Sequence, residues 1–233
     1  MEPLIYVADD EDDIRQLVKM FLESAGYRVK AFPTGDALFF AFSQQPADLV
    51  ILDIMMPGTD GLTLCNRIRA ISAVPIILLT AKDSDADYIA GITLGSDDYL
   101  TKPFRPTILT VRVKALLRRT ELMKGASPSS DDDLVCGDLS LSAKKRCISH
   151  QEKEVELTTT EYACLAFLMK HYEETVSRET MLKEVWGYHD AVETRVTDET
   201  IRRIRKKLAA VGSRTIIANK WAVGYMLREE LQP

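Results

Sequence analysis

The sequence predicts two domains of different fold class. The first is α/β, a doubly wound five-stranded parallel sheet, and the second is a smaller α+β domain of three helices and a terminal hairpin. Three observations carry this. At 233 residues the chain exceeds the usual size of one domain. Short apolar runs alternate five times with helically spaced segments across the first half. The stretch 121–133, ELMKGASPSSDDD, is rich in Gly, Ser, Pro and charge and lacks apolar periodicity, so it reads as a linker. Domain bounds of 1–120 and 134–233 follow.

In the first half, Leu4 to Ala8 is an apolar run ending at Asp9-Asp10, and Ile14, Leu17, Val18, Phe21 and Leu22 follow at helical spacing up to Gly26. Arg28 to Phe32 predicts a strand and Asp36 to Ser43 a helix. Leu49 to Asp53 is a strand buried on both faces, closed by the turn signal Pro57-Gly58. A helix around Leu62 to Ile71, a strand at Pro75 to Thr80 and a helix through Asp85 to Leu94 come next. A short strand at Asp98 to Thr101 leads to a final helix, Pro106 to Arg119, with Pro at its start.

Asp9, Asp10, Asp53, Thr80 and Lys102 all fall at carboxyl ends of these strands, where open α/β sheets form their ligand crevices. Three carboxylates gathered there repel unless a cation joins them, and oxygen ligands with room for water suit Mg²⁺. A metal, a hydroxyl and a lysine beside an aspartate form a phosphoryl-transfer arrangement, with the carboxylate as nucleophile.

Residues 4–119 resemble the receiver domain of two-component response regulators, on ADDEDD (8–13), LVILDIMMPGTDG (49–61), PIILLTAK (75–82) and GSDDYLTKPF (95–104). The resemblance implies that a sensor histidine kinase phosphorylates Asp53. It implies that Asp10, Asp53 and the Met55 carbonyl hold Mg²⁺, with Asp9 acting through water. It further implies that Thr80 and Lys102 contact the phosphoryl group, that Tyr99 is the aromatic switch, and that Lys102-Pro103 is cis.

The second half opens with short alternating stretches from Leu134 to Leu157, which predict a small antiparallel sheet. Thr158 to Glu161 is a capping box opening a helix with Tyr162, Leu165, Ala166, Leu168 and Met169 on one side. Ser177 can cap a second helix that turns Met181, Leu182, Val185 and Trp186 inward. A third, about Thr194 to Ala209, buries Val196, Ile201, Ile204 and Leu208. Gly212 ends it, and Thr215 to Arg228 reads as a hairpin.

Three helices and a hairpin, with a basic third helix, form a winged helix-turn-helix pattern. LTTTEY (157–162), ETRVTDETIRRIRKKL (193–208) and VGYML (223–227) make residues 134–229 resemble the effector domain of the OmpR/PhoB family. The chain is acidic overall at −5, yet Arg195 to Lys220 holds eight bases and two acids, which suits one local polyanion. Glu199, Thr200, Arg202 and Arg203 are expected to meet base edges, and Arg195, Arg205, Lys206 and Lys207 to meet phosphates. The family's wing usually carries an Arg that enters the minor groove. Trp221 stands in its place, so Asn219 or Lys220 is expected to make a weaker wing contact. A Trp there, together with KPFRP (102–106), also resembles the vancomycin-resistance regulators.

In this family phosphorylation pairs two receivers through the helix, strand and helix that span 85–119. Asp97 and Asp98 with Arg112, Arg118 and Arg119 supply opposite charges for such a homodimer. A Lys–Glu pair common in relatives falls at Tyr88 and Ile108, which predicts an apolar contact of low salt sensitivity. Paired effector domains would hold direct-repeat promoter sites on double-stranded DNA. The loop from Trp186 to Glu193 is, by resemblance, where RNA polymerase is touched.

Two rival functions are weaker. A phosphatase working through aspartyl phosphate wants an Asp where Met55 stands, and a regulator independent of phosphorylation has no need of the intact acidic set. The chain is therefore expected to be a transcription factor rather than an enzyme, although its receiver slowly hydrolyses its own phosphoryl group. No apolar run approaches 18 residues, the N-terminus MEPLIYVADD lacks a basic n-region, and four scattered cysteines form no CxxC pair. These point to a cytoplasmic protein without a membrane span.

Overall fold

The computed structural model describes residues 2–81, 95–125, 133–188, 196–221 and 223–230. The chain divides into two compact units, 1–118 and 119–233. In the first, the order is β1 (Leu4–Ala8), α1 (Asp12–Ser24), β2 (Arg28–Phe32), α2 (Gly35–Gln44), β3 (Leu49–Asp53), α3 (Gly61–Arg69), β4 (Ile76–Ala81), β5 (Asp98–Lys102) and α4 (Pro106–Gly125). The five strands form one parallel sheet in the order β2-β1-β3-β4-β5, the doubly wound arrangement expected.

Helices on both faces explain why β1 and β3 are apolar without alternation: all five residues of each are buried. On one face Ile5, Val7, Ile51, Ile77 and Leu79 pack with Val18 and Leu22 of α1 and with Leu109, Val113 and Leu116 of α4. Each such side chain contributes about 1.5–3 kcal/mol by leaving water. Local signals set the helix starts. Thr34 accepts the amide of Ala37 at 3.3 Å, and Asp60 accepts that of Thr63 at 2.8 Å. Gly26, at φ 89°, closes α1 in a conformation that favours glycine. Gly61 opens α3 so close to β3 that a Cβ would lie 2.1 Å from the Asp53 carbonyl oxygen, so the end of the Asp53 strand tolerates no side chain there.

The linker expected from residue 121 does not begin there. α4 continues through Gly125, because Glu121, Leu122, Met123 and Lys124 are good helix formers and nothing breaks the helix before glycine. The helix expected over Asp85 to Leu94 lies outside the described residues.

The second unit opens with an antiparallel sheet of β6 (Leu134–Cys136), β7 (Leu139–Ser142), β8 (Cys147–His150) and β9 (Lys153–Glu154), paired in chain order. Then come α5 (Thr159–Lys170), β10 (Val176–Ser177), α6 (Arg178–Met181), which widens into a π turn over Leu182–Trp186, and α7 (Val196–Ala210). β11 (Thr215–Lys220) and β12 (Gly224–Glu229) form the expected hairpin, and β10 pairs with β12 to add a third strand. That pairing requires glycine at 224, where a Cβ would lie 1.9 Å from the Val176 carbonyl oxygen. Thr158 and Glu161 make the predicted reciprocal capping box, and Ser177 caps α6. Leu165, Leu168, Met181, Trp186, Ile201, Ile204, Leu208 and Leu227 form the core.

Candidate functional site

The parallel topology carries Asp9, Asp10, Asp53, Thr80 and Lys102 to one edge of the first sheet. Asp9 and Asp53 are buried and Asp10 is exposed, and one carboxylate oxygen from each lies within 4.8 Å of the others. Lys102 reaches between them, its Nζ 2.9 Å from Asp53 Oδ2 and 2.8 Å from Asp9 Oδ2. Glu11, which the sequence reading did not single out, receives the same ammonium at 3.2 Å, and its backbone N–H donates to Asp9 Oδ1 at 3.0 Å. The acid-rich ADDEDD run was the available signal.

Burial pushes the Asp9 carboxyl above its ordinary range, and the nearby Asp53 adds to this while Lys102 opposes it. Burial works against the Lys102 ammonium, but hydrogen bonds to Asp9 and Asp53 outweigh it and hold the group above its ordinary range. Three carboxylates, Asp9, Glu11 and Asp53, thus meet one ammonium, and a fourth, Asp10, lies close to Asp9 and Asp53. Closely spaced oxygen donors with surplus negative charge fit a hard divalent ion such as Mg²⁺. The backbone N–H of Met55 donates to Asp53 Oδ1 at 3.4 Å, and the Met55 side chain points into solvent.

Thr80 is buried at the end of β4, in register with Thr101, while Ala81 is in register with Lys102. Tyr99 is buried in β5. Lys102-Pro103 is cis.

In the second unit, α7 divides the expected DNA contacts. Arg202 and Lys206 are exposed, one turn apart, with Glu199 on the same side and 2.6 Å from Arg202. Three assignments are corrected. Thr200 is fully buried and cannot meet a base edge. Arg203 is buried, its Nε 3.4 Å from Glu161 Oε1 and its Nη2 donating to Thr200 Oγ1 at 3.3 Å. Lys207 places Nζ 2.6 Å from Glu161 Oε2 rather than toward a phosphate. The physical reason is that Glu161, buried in the first turn of α5, needs cationic partners.

Arg205 donates to the Ile217 carbonyl and to Asn219 Oδ1, both at 2.8 Å, and so ties α7 to the wing strand. Asn219 and Lys220 are exposed on β11. Arg195 lies outside the described residues. Arg178 was missed: its Nε is 2.9 Å from Asp198 Oδ1, and its guanidinium lies over the Tyr225 ring at 5.0 Å. The Tyr225 hydroxyl also donates to Asp198.

The charges expected at a dimer interface need a similar correction. Asp97 is fully buried, 2.5 Å from Arg69 and accepting the Ile76 amide at 2.9 Å. Asp98 pairs with Arg112 at 2.7 Å, both buried. These three serve the receiver interior, because a carboxylate facing a buried strand end requires a partner from its own chain. Arg118 and Ile108 are exposed, and Tyr88 lies outside the described residues.

Comparisons with known proteins agree with this division. Residues 5–114 match the response regulator receiver domain, and residues 152–227 match the transcriptional regulatory protein C-terminal domain. The chain is 40% identical over 228 residues to the transcriptional regulatory protein ResD of Bacillus subtilis, covering 96% of this chain and 95% of that one. It is 37% identical to the regulatory protein VanR of Enterococcus faecium, over 98% of this chain and all of the other. Among solved structures, DrrB of Thermotoga maritima, described as an OmpR/PhoB homologue, is 33% identical with a TM-score of 0.51 over 98% of this chain and all of the other. No helix among the described residues is long and apolar enough to cross a membrane.

Proposed function

Since the chain belongs to the OmpR/PhoB family of two-component response regulators, we propose that a sensor histidine kinase phosphorylates Asp53 and that this modification drives receiver pairing and sequence-specific binding of promoter DNA. The observation that carries the reading is Lys102, whose ammonium lies 2.9 Å from Asp53 and 2.8 Å from Asp9 at the meeting point of three strand ends. A carboxylate so placed is an acceptor beside a fixed positive charge.

In this reading an Asp53 carboxylate oxygen attacks the phosphorus of a phosphohistidine. The new P–O bond forms as the P–N bond breaks, and the imidazole leaves and takes up a proton. Lys102 and the Thr80 hydroxyl face the equatorial oxygens and stabilise their charge. Asp9, Asp10, Asp53 and the Met55 carbonyl would hold Mg²⁺, which when bound supplies further charge neutralisation on the phosphoryl oxygens. Water attacking the same phosphorus later returns the free carboxylate slowly, so the receiver times its own signal.

Phosphorylation adds charge at one strand end and biases an equilibrium between conformers. Ile108 and Val111, both exposed on α4, are the apolar surface assigned to receiver pairing. Two effector domains then occupy direct-repeat half-sites together, with effective concentration rather than new base contacts raising affinity. RNA polymerase is the further partner, and the cytoplasm the compartment.

Gel filtration with and without acetyl phosphate and Mg²⁺ tests this. The wild-type chain should elute as a dimer only with the donor, and Asp53→Asn should stay monomeric. Equal elution of both proteins under the donor would sink the proposal.

A further inference from the structure

Asp9 and Asp10 lie between the end of β1 at Ala8 and the start of α1 at Asp12. The Arg15 N–H donates to the Glu11 carbonyl at 3.0 Å and so begins the α1 ladder, which leaves the carbonyls of Asp9 and Asp10 upstream of it and past the end of the strand. One side chain serves them both. Arg15 Nη1 donates to the Asp9 carbonyl at 2.7 Å and to the Asp10 carbonyl at 2.8 Å, one hydrogen for each. Its Nη2 donates to Asp12 Oδ1 at 2.7 Å, and the Arg15 side chain is only 13% exposed.

By charge alone, a guanidinium beside metal-binding carboxylates works against a cation. What Arg15 supplies is direction. The Asp10–Glu11 peptide is trans, so its C=O and N–H point opposite ways. Holding the Asp10 carbonyl on Arg15 therefore turns the Glu11 N–H the other way, where it donates to Asp9 Oδ1 at 3.0 Å. That donation favours the charged form of the buried Asp9 carboxylate. Two successive peptides are fixed by one fork, and the two carboxylates that leave this segment come within 4.8 Å of Asp53 and of each other.

We propose that Arg15 is a positioning residue for the divalent ion, and through it for phosphorylation: its fork holds the β1–α1 turn in the conformation that aims the Asp9 and Asp10 carboxylates into the pocket. This rests on the metal-assisted phosphorylation of Asp53. Without the fork the ion itself has to order the turn, and its affinity falls. A purely electrostatic role predicts the reverse, because removing a cation next to an acidic pocket should tighten a divalent ion. The sign of the effect separates the two. Lysine is no substitute, since its ammonium is a point donor on a flexible stem.

The full chain and its Arg15→Gln, Arg15→Lys and Asp12→Asn variants are titrated with Mg²⁺ alone, and affinity is read from the rise in Tm. Arg15→Gln is expected to need roughly ten times more Mg²⁺ for the same rise, the loss usual when the partner of a metal ligand is removed. Arg15→Lys is expected to lose nearly as much although its charge is kept. Asp12→Asn is expected to match wild type, since both carbonyl bonds stay in place. In the metal-free chain, hydrogen exchange at the Glu11 amide should quicken in Arg15→Gln and not in Asp12→Asn. With acetyl phosphate, half-maximal phosphorylation of Arg15→Gln should move to about tenfold higher Mg²⁺, while the rate at saturating Mg²⁺ changes little.

Arg15→Gln binding Mg²⁺ as tightly as wild type, or more tightly, would overturn the proposal, and so would an Arg15→Lys variant indistinguishable from wild type. A lower metal-free Tm with an unchanged Mg²⁺ dependence would assign Arg15 to stability alone and overturn it equally. If Arg15→Gln does not fold, Arg15→Lys carries the test by the same criteria. A wild-type Tm that ignores Mg²⁺ would remove the metal reading itself, and the proposal with it.

Discussion

Lys207 and Glu161 stand 2.6 Å apart although 46 positions separate them in the chain. The contact joins the start of α5 to the last turns of α7, and the buried Arg203 guanidinium completes it from the other carboxylate oxygen. Part of the basic block is therefore internal scaffolding. Glu161→Ala should destabilise the effector domain by ~3–5 kcal/mol, because it leaves Arg203 buried without its anion. Lys207→Ala should cost less, since that side chain is 36% exposed, about 1 kcal/mol or below. Urea unfolding at neutral pH measures both, and the Lys207 variant should keep its sequence preference on DNA.

The exposed residues of α7 should behave in the opposite way. Lys206→Ala should weaken binding evenly across sequences and lower the salt slope by about one. Arg202→Ala should relax preference at one base position by ~1–3 kcal/mol, with the domain as stable as before. Competition binding over a duplex library at two salt concentrations separates these outcomes. Equal losses on every sequence for Arg202→Ala would place that residue on the backbone instead.

Metal and pH act on the acidic pocket together. Asp9 has a folded-state pKa raised by burial, so its contribution to stability is full below the unfolded value of 3.8 and is lost as pH rises through the raised one. The metal-free receiver therefore carries a cost at neutral pH that a divalent ion relieves. Mg²⁺ at a hundred times its Kd should stabilise the fold by about 2.7 kcal/mol, seen as a higher Tm. The gain should shrink as pH falls through the Asp9 titration, and Asp10→Asn should reduce it at every pH. An Mg²⁺-independent Tm would refute this.

Asp138 makes a prediction of opposite sign. It accepts backbone N–H groups of Arg214 at 2.7 Å and Thr215 at 3.2 Å, and hydroxyls of Ser213 at 2.8 Å and Thr215 at 2.7 Å. His150 Nε2 lies 3.1 Å away. Desolvation opposes ionisation, but these donors hold the carboxyl well below the usual range. A depressed folded pKa contributes stability above the unfolded value of 3.8 that disappears as pH falls toward the folded one. Asp138→Ala should cost ~1–3 kcal/mol at pH 7, and its gap from wild type should narrow below about pH 4. Denaturant titration across pH checks it.

Much of this protein was legible in one dimension. Asp9, Asp53, Thr80 and Lys102 could be assembled from the chain because each falls at the carboxyl end of a predicted strand. A parallel sheet sends all such ends to one edge. The capping box at Thr158 and the hairpin after Gly212 were readable for the same reason: backbone and neighbouring side chains settle them locally. Interior and exterior charges were not. Arg202 and Arg203 are adjacent and chemically identical, yet one is exposed and the other is held by Glu161 from a different helix.

Asp97 and Asp98 likewise look like surface acids until β4, α3 and α4 bring Ile76, Arg69 and Arg112 to them. Periodicity reports which face of an element is apolar, and so it laid down the two folds and the acidic crevice. Which cation neutralises which buried carboxylate depends on contacts across tens of residues, and no local pattern encodes these. Packing alone turned Arg203 and Lys207 toward the buried Glu161, and it left Arg202, Lys206 and Trp221 facing outward.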